Sequence, residues 1–198
     1  MDIKKIILCA ALVLAGFSAS AQHKLGVKAG GNMSWIPGTT IYGYENVVPH
    51  FNFYAGATYE YQLSDSFAIQ PELLYARKGY RDNNDASRYK RTLAYVELPV
   101  LASFKMLDDR FAFMLGPEFG YLVSATTNDK GVIKDDLKNC NPFEFSIVLQ
   151  ACYMIIDNLG IELKVDYGLT RVIKQFENVV DKGRNLSLEL GVCYKFEL

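Results

Sequence analysis

The sequence has 198 residues, with 21 basic and 22 acidic side chains and a formal net charge of −1. This balance excludes a typical nucleic-acid-binding protein, which needs surplus Lys and Arg to neutralise phosphates, and the 50% hydrophobic content excludes intrinsic disorder. A chain of this length is expected to form one domain, and because it has no run of about 18 apolar residues, a bundle of membrane helices is excluded as well.

The first 21 residues have the three parts of a secretory signal peptide. Lys4 and Lys5 precede an apolar stretch over 6–17, and residues 18–21 read Ser-Ala-Ser-Ala, a cleavage site of the A-x-A type. We predict cleavage after Ala21, export of the protein, and a mature domain at 22–198.

Eight later segments alternate apolar and polar residues with a period of two, which predicts strands. The segments are 25–35, 51–61, 67–76, 94–105, 111–121, 143–153, 159–170 and 186–196. In each segment one row of side chains carries no charge, whereas the other row carries carboxylates and lysines. In the last segment, for example, Leu188 and Leu190 stand in the apolar row and Glu189 stands in the other.

The segments favour an outer-membrane barrel, in which the polar row faces the lumen. They run about ten residues, the length that a tilted strand needs to cross the hydrocarbon. Short links alternate with long polar links at 36–50, 77–92, 123–142 and 170–185, and aromatic residues stand near both ends of the apolar rows. We therefore predict an all-β fold, an eight-stranded antiparallel up-and-down transmembrane β-barrel with a polar lumen, both termini periplasmic. The alternative is a soluble secreted lipocalin-like barrel that binds an apolar ligand and has the apolar rows inside.

Three prolines fall inside the predicted strands. Pro71, Pro99 and Pro117 each remove a ladder donor, and a closed barrel has no edge on which to hide them. We expect local bulges at these positions.

Several short motifs together resemble the PorT-like outer-membrane β-barrel family of Bacteroidota-type bacteria, over nearly the whole mature chain. They are Gln70-Pro71-Glu72-Leu73-Leu74-Tyr75, Arg77-Lys78-Gly79-Tyr80, Tyr95-Val96-Glu97-Leu98-Pro99-Val100, Gly116-Pro117, Tyr167-Gly168-Leu169-Thr170, Arg184-Asn185 and Gly191-Val192-Cys193-Tyr194-Lys195-Phe196. The resemblance implies an outer-membrane location, insertion by the outer-membrane insertion machinery, and, for some relatives, a part in protein secretion.

The inward rows predict a charge network in the lumen. Its members are Lys28, Glu60, Glu72, Glu97, Lys105, Glu118, Glu144, Glu162, Lys164, Asp166, Glu189 and Lys195. The acids outnumber the lysines, so we expect Arg171, Arg184 or other loop cations to reach down to them, because unpaired buried charges are costly. An eight-stranded barrel is filled by its own side chains, which favours an occluded lumen; a narrow cation-conducting pore is the alternative.

A basic cluster stands in and around the second long link. It consists of Arg77, Lys78, Arg81, Arg88, Lys90 and Arg91. Such a cluster beside the outer leaflet could bind lipopolysaccharide phosphates, and a solvated loop without a ligand is the alternative. Outer-membrane lipid is the other expected partner, with protein partners possible at the long loops.

The sequence predicts no enzyme, no cofactor and no metal site. His50 could act with Ser87 or Asp85, but no motif connects them. The mature cysteines, Cys140, Cys152 and Cys193, are odd in number and lack Cys-x-x-Cys or Cys/His spacing, so we expect neither a disulfide framework nor a zinc site. Two strand spacings put the Cα atoms of Cys152 and Cys193 about 10 Å apart, beyond disulfide reach, which predicts free thiols that act as packing residues.

Overall fold

A computed structural model describes residues 23–37, 47–82, 89–107, 109–129, 131–172 and 183–196. The predicted signal peptide and its cleavage site lie outside these residues. No helix among them is long and apolar enough to cross a membrane.

Within the described residues, eight long antiparallel strands close into a barrel, as predicted. The nine strands are β1 His23–Trp35, β2 Val47–Ser64, β3 Phe67–Asp82, β4 Lys90–Met106, β5 Phe111–Asp129, β6 Val132–Asp135, β7 Phe143–Ile156, β8 Leu159–Gly168 and β9 Leu186–Phe196. The eight long strands pair in chain order, with β5 next to β7, and the pairing of β1 with β9 completes the ring. Strand β6 pairs with β5 alone and forms a hairpin above the ring, followed by a short 3-10 helix at Leu137–Asn139.

The apolar rows point away from the barrel axis and the charged rows point into it. On β9, Leu188 and Leu190 are 38% and 65% exposed, whereas Glu189 between them is 0% exposed. A soluble barrel would have the opposite arrangement, so the lipocalin-like alternative is wrong. Aromatic pairs on the outer surface, such as Tyr121 with Phe143, with ring centroids 5.2 Å apart, stand where a bilayer interface is expected.

Four adjacent strands are longer than predicted. Strands β2, β3, β4 and β5 contain 18, 16, 17 and 19 residues, more than the ten or so that a tilted strand needs to cross the bilayer. Much of the predicted links at 77–92 and 123–142 is therefore strand. Short turns, such as Asp65–Ser66 between β2 and β3, lie at the opposite end of the barrel, which is also where β1 begins and β9 ends.

The expected bulges at Pro71, Pro99 and Pro117 are wrong. Strands β3 and β4 keep one register past the first two prolines, with Pro71 opposite Val100 and Leu74 opposite Glu97, and β5 passes Pro117 opposite Ile147 of β7 without a shift. The register shifts lie elsewhere. They occur in β2 between 49 and 54 and between 62 and 64, in β5 at Val123, opposite 94 and 95 of β4, and in β7 between 154 and 156. A proline removes one hydrogen-bond donor without adding a residue, so the strand pair loses one hydrogen bond and its residues stay in register.

Candidate functional site

All twelve residues of the predicted lumen network point into the barrel. Eleven are less than 9% exposed, and Lys195, near the short-turn end, has a side chain that is 16% exposed. Alternation along β-strands places them there, because every second side chain of a closed sheet faces the axis.

Two lysines hold the centre of the lumen. Lys164 contacts Glu118 at 3.1 Å and Glu189 at 3.2 Å. Lys78 contacts Glu97 at 2.7 Å and Glu118 at 3.3 Å, and it also pairs with Asp166. The side chains of all six residues are at most 1% exposed. Glu118 bridges the two lysines, so the centre is one connected network.

A second group of ion pairs lies beside the first. The Lys28 ammonium is 2.8 Å from Glu72 and 3.0 Å from Glu162. The Tyr54 hydroxyl donates to Glu162 at 2.7 Å, and the Gln150 amide donates to the same carboxylate at 3.2 Å. The tyrosine can lie across the lumen because Gly30 and Gly191 face each other beneath it: a Cβ at Gly191 would lie 2.2 Å from the hydroxyl oxygen.

The two ends of the lumen are held differently. At the short-turn end, the Glu60 carboxylate forms an ion pair with Lys105 at 2.5 Å and accepts a hydrogen bond from Lys195 at 2.6 Å. At the long-loop end, the Asn185 amide donates to both oxygens of Glu144, at 2.9 and 3.0 Å.

We expected Arg171, Arg184 or another loop cation to reach down to the lumen carboxylates. The side chains of Arg171 and Arg184 are exposed. The cation that joins the central network comes from the predicted second link and is Lys78, which was assigned above to the basic cluster. The alternation along β3 indicates that Lys78 faces the lumen, because the inward positions of this strand are Glu72, Leu74, Ala76 and Lys78.

The residues of the predicted basic cluster lie on both faces of the barrel wall. Lys78 and Arg91 point inward and are 0% and 2% exposed, so neither can contact lipid. Arg81 and Lys90 are exposed and lie opposite each other on β3 and β4. Arg77 is half-buried on the outer surface, with its guanidinium 5.8 Å from the centroid of the Phe53 ring. Arg88 lies outside the described residues.

Arg91 instead fixes the hairpin above the barrel. Its guanidinium pairs with Asp136 and donates to the Tyr80 hydroxyl at 3.1 Å. The Thr127 hydroxyl donates to the same aspartate at 2.9 Å. These contacts tie the chain after β6 to the inner wall of β3, β4 and β5.

Two of the cysteines lie closer together than strand spacing alone indicates. Cys140, Cys152 and Cys193 are buried and are not in disulfides, and the sulfurs of Cys152 and Cys193 are only 3.4 Å apart. Strand spacing measures the distance around the wall, whereas inward side chains of a narrow barrel converge toward its axis.

The described residues contain no group of three or more His, Cys, Asp and Glu side chains suited to a metal ion. His50 belongs to strand β2 and lies opposite Ser34 of β1. Asp85 and Ser87, its possible partners in catalysis, lie outside the described residues.

The ion pairs at the centre of the lumen are shielded from water. A side chain that is 0 to 1% exposed is not reached by water, and the central pairs of Lys28, Lys78 and Lys164 all meet this condition. Buried charges are stable only when they are paired, so these ion pairs connect strands across the lumen.

Comparisons with known proteins agree with this architecture. A family model described as an outer membrane protein beta-barrel domain matches residues 18–174. The crystal structure of Neisserial surface protein A is similar, with 14% identity and a TM-score of 0.60, covering 87% of this chain and 97% of that chain. Ail, the attachment invasion locus protein of Yersinia pestis, in complex with the heparin analogue sucrose octasulfate, is similar with 13% identity and a TM-score of 0.51, covering 88% of this chain and 99% of that chain. At such identities the two structures show a shared fold. No curated protein matches the sequence.

Proposed function

This chain belongs to the outer membrane protein β-barrel domain family, and we propose that within the outer membrane it is a non-conducting barrel that binds lipopolysaccharide phosphates through an outward basic strip. The strip consists of Arg77, Arg81 and Lys90. In this proposal the long-loop end faces the cell exterior, both termini are periplasmic, and the long loops are the surface for any protein partner.

The observation that supports a non-conducting barrel is the connected network at the centre of the lumen. An ion entering the bore would have to separate Lys78 and Lys164 from their carboxylates, and breaking a buried pair costs about 3–5 kcal/mol. The PorT-like resemblance supports a place in that subfamily, and a role in secretion would then depend on the loops and not on transport through the bore.

Conductance measurements test this part of the proposal. The purified barrel reconstituted in planar bilayers should give no stable steps above the lipid background. Reproducible cation-selective steps that disappear when Glu118 is replaced by Gln would overturn it in favour of a narrow cation pore.

The outward basic strip supports the lipid-binding part. Arg81 and Lys90 are exposed neighbours on adjacent strands. Arg77 faces outward on β3 as well, four residues closer to the apolar band. The aromatic residues Phe53 and Tyr75 lie just below, with ring centroids 6.2 Å apart. A basic strip directly above an aromatic belt is at the depth of lipid phosphates, and the guanidinium group suits bidentate phosphate binding. The complex of Ail with sucrose octasulfate is a precedent for polyanion binding on this fold.

A charge-matched pair of triple variants tests the strip. One carries Arg77→Gln, Arg81→Gln and Lys90→Gln. The control carries Lys134→Gln, Arg171→Gln and Arg184→Gln, which removes three exposed cations from the same end of the barrel. Each charge-assisted hydrogen bond contributes about 1.5–3 kcal/mol, so the strip variant should retain at least about tenfold less lipopolysaccharide after purification in mild detergent. Equal retention by both variants would overturn lipid binding by the strip.

A further inference from the structure

Three sulfur atoms converge inside the barrel near its short-turn end. The Cys152 sulfur on β7 is 3.4 Å from the Cys193 sulfur on β9 and 4.0 Å from the Met154 sulfur. Gly160 of β8 lies between the two strands, and a Cβ placed on it would be 2.9 Å from the Met154 sulfur and 3.0 Å from that of Cys193. The absence of a side chain at Gly160 therefore leaves the space that the three sulfurs share.

A disulfide is a poor match to this geometry. Cys152 and Cys193 stand on strands separated by β8, with Cys152 opposite Glu162 and Cys193 opposite Gly160. Their sulfurs are 3.4 Å apart, whereas the sulfurs of a disulfide are about 2.0 Å apart, so a bridge would have to draw the two side chains closer together across β8. A metal ion that binds both sulfurs requires a smaller movement of the two side chains than a direct bond between them. With metal–sulfur bonds of about 2.3 Å, three sulfurs around one ion stand about 4 Å apart, close to the two separations above.

The donor set selects the kind of ion. Two thiolates and a thioether are soft ligands, which favour copper(I). Zinc prefers four ligands drawn from Cys, His and carboxylates, and no group of three or more such residues occurs in the described part of the chain.

From these contacts we propose that Cys152, Cys193 and Met154 form a binding site for a soft monovalent metal ion of the copper(I) class. Binding releases the two thiol protons and leaves a three-coordinate complex with a net charge of −1. Lys195 stands on the same inward face as Cys193, two residues along β9. Lys195 and Lys105 share the single carboxylate of Glu60, so this group has a surplus positive charge that compensates the complex. The Lys195 side chain is 16% exposed, and in this proposal the ion enters from the short-turn end.

The test uses the full-length barrel, folded in detergent and kept reduced. Copper(I) is titrated against bicinchoninate, a coloured chelator that competes for the ion, and silver(I) serves as a second probe without redox chemistry. We expect one ion bound per barrel. Cys152→Ser and Cys193→Ser should each lower the affinity by more than the roughly 100-fold that outer partners of metal sites can contribute, and Met154→Leu should lower it by about tenfold.

Cys140→Ser is the matched control, because Cys140 is equally buried but belongs to a separate cluster at the long-loop end. It should bind copper(I) like the unmodified protein. Heat-dependent gel mobility reports folding for each variant, and if a serine variant does not fold, the conservative Met154→Leu substitution decides the question.

Four results would overturn the site. They are unchanged affinity in the folded Cys152, Cys193 or Met154 variants, loss of binding in Cys140→Ser, zinc binding as tight as that of copper(I), and a Cys152–Cys193 disulfide found by mass spectrometry in protein whose reduced form does not bind the ion.

Discussion

Replacing Lys78 by Met is the sharpest test of the charge network. Methionine matches the unbranched lysine side chain as far as Cε and removes the ammonium group. In the structure this group contacts Glu97 at 2.7 Å and Glu118 at 3.3 Å and pairs with Asp166, and the Lys78 side chain is 0% exposed. The substitution leaves two of these carboxylates, Glu97 and Asp166, without their lysine; Glu118 keeps Lys164.

The expected loss follows from these contacts. Two opposite charges about 4 Å apart attract by about 4 kcal/mol at an effective dielectric constant of 20, so three contacts give a gross attraction of about 12 kcal/mol. Much of this offsets the desolvation of the buried ions. Removing one partner of a buried pair lowers the free energy of unfolding by about 3–5 kcal/mol, and because Lys78 serves three carboxylates we expect a value at the upper end of that range.

Urea unfolding in lipid vesicles measures the effect. Trp35 is the single tryptophan of the chain and reports unfolding by its fluorescence, and gel mobility without boiling gives an independent fraction folded. Lys134→Met, at an exposed position, is the control and should change the free energy of unfolding by less than about 0.5 kcal/mol. A loss below about 1 kcal/mol for Lys78→Met would refute the assignment of the network as the main support of the lumen. Adding Asp166→Asn should restore part of the loss, with a coupling energy of about 1–3 kcal/mol.

Three further substitutions test other parts of the structure. Leu73→Arg, on the lipid face where the leucine is 57% exposed, should lower the free energy of unfolding in vesicles by about 2–4 kcal/mol, and a neutral result would place this face outside the hydrocarbon. Gly191→Ala should displace the Tyr54 hydroxyl, which a Cβ would approach to 2.2 Å, and lower stability by about 1–3 kcal/mol as Glu162 loses a donor; Tyr54→Phe combined with Gly191→Ala should be no worse than Gly191→Ala alone. Arg91→Met should release the segment after β6 by removing its pair with Asp136, so limited proteolysis should cut at 131–140 several-fold faster while the barrel itself keeps its heat-dependent mobility; unchanged cleavage would contradict the anchoring role.

Much of the barrel could be predicted from the sequence, because alternation is a local signal. Each strand has its own period of two in the sequence. This pattern predicts the number of segments, the long and short links between them and the charged face of each strand without knowledge of tertiary contacts. The upper parts of β2 to β5 were missed because a strand above the bilayer no longer needs an apolar face. Residues 77–82, for example, have the composition of a loop and form strand by pairing with β4.

The details of the site depended on distances that no sequence pattern contains. The alternation along β3 contained the signal that Lys78 faces the lumen, although the sequence analysis placed this residue in the basic cluster. Its choice of Glu97, Glu118 and Asp166 as partners requires three other strands to meet at one depth. The contact between Cys152 and Cys193 likewise depends on the curvature of the sheet, which strand spacing alone does not include.

The unequal lengths of the strands give the barrel a sloping rim. Strand β5 has 19 residues and β8 has 10, and nine extra residues at about 3.3 Å each, tilted by about 40°, raise one side by about 23 Å. The long strands β2 to β5 are neighbours, as are β7, β8, β9 and β1, so the high and low sides occupy opposite halves of the circumference. In the part of the chain that the structure describes, the wall formed by β2 to β5 therefore shields the top of the lumen along one half of the circumference.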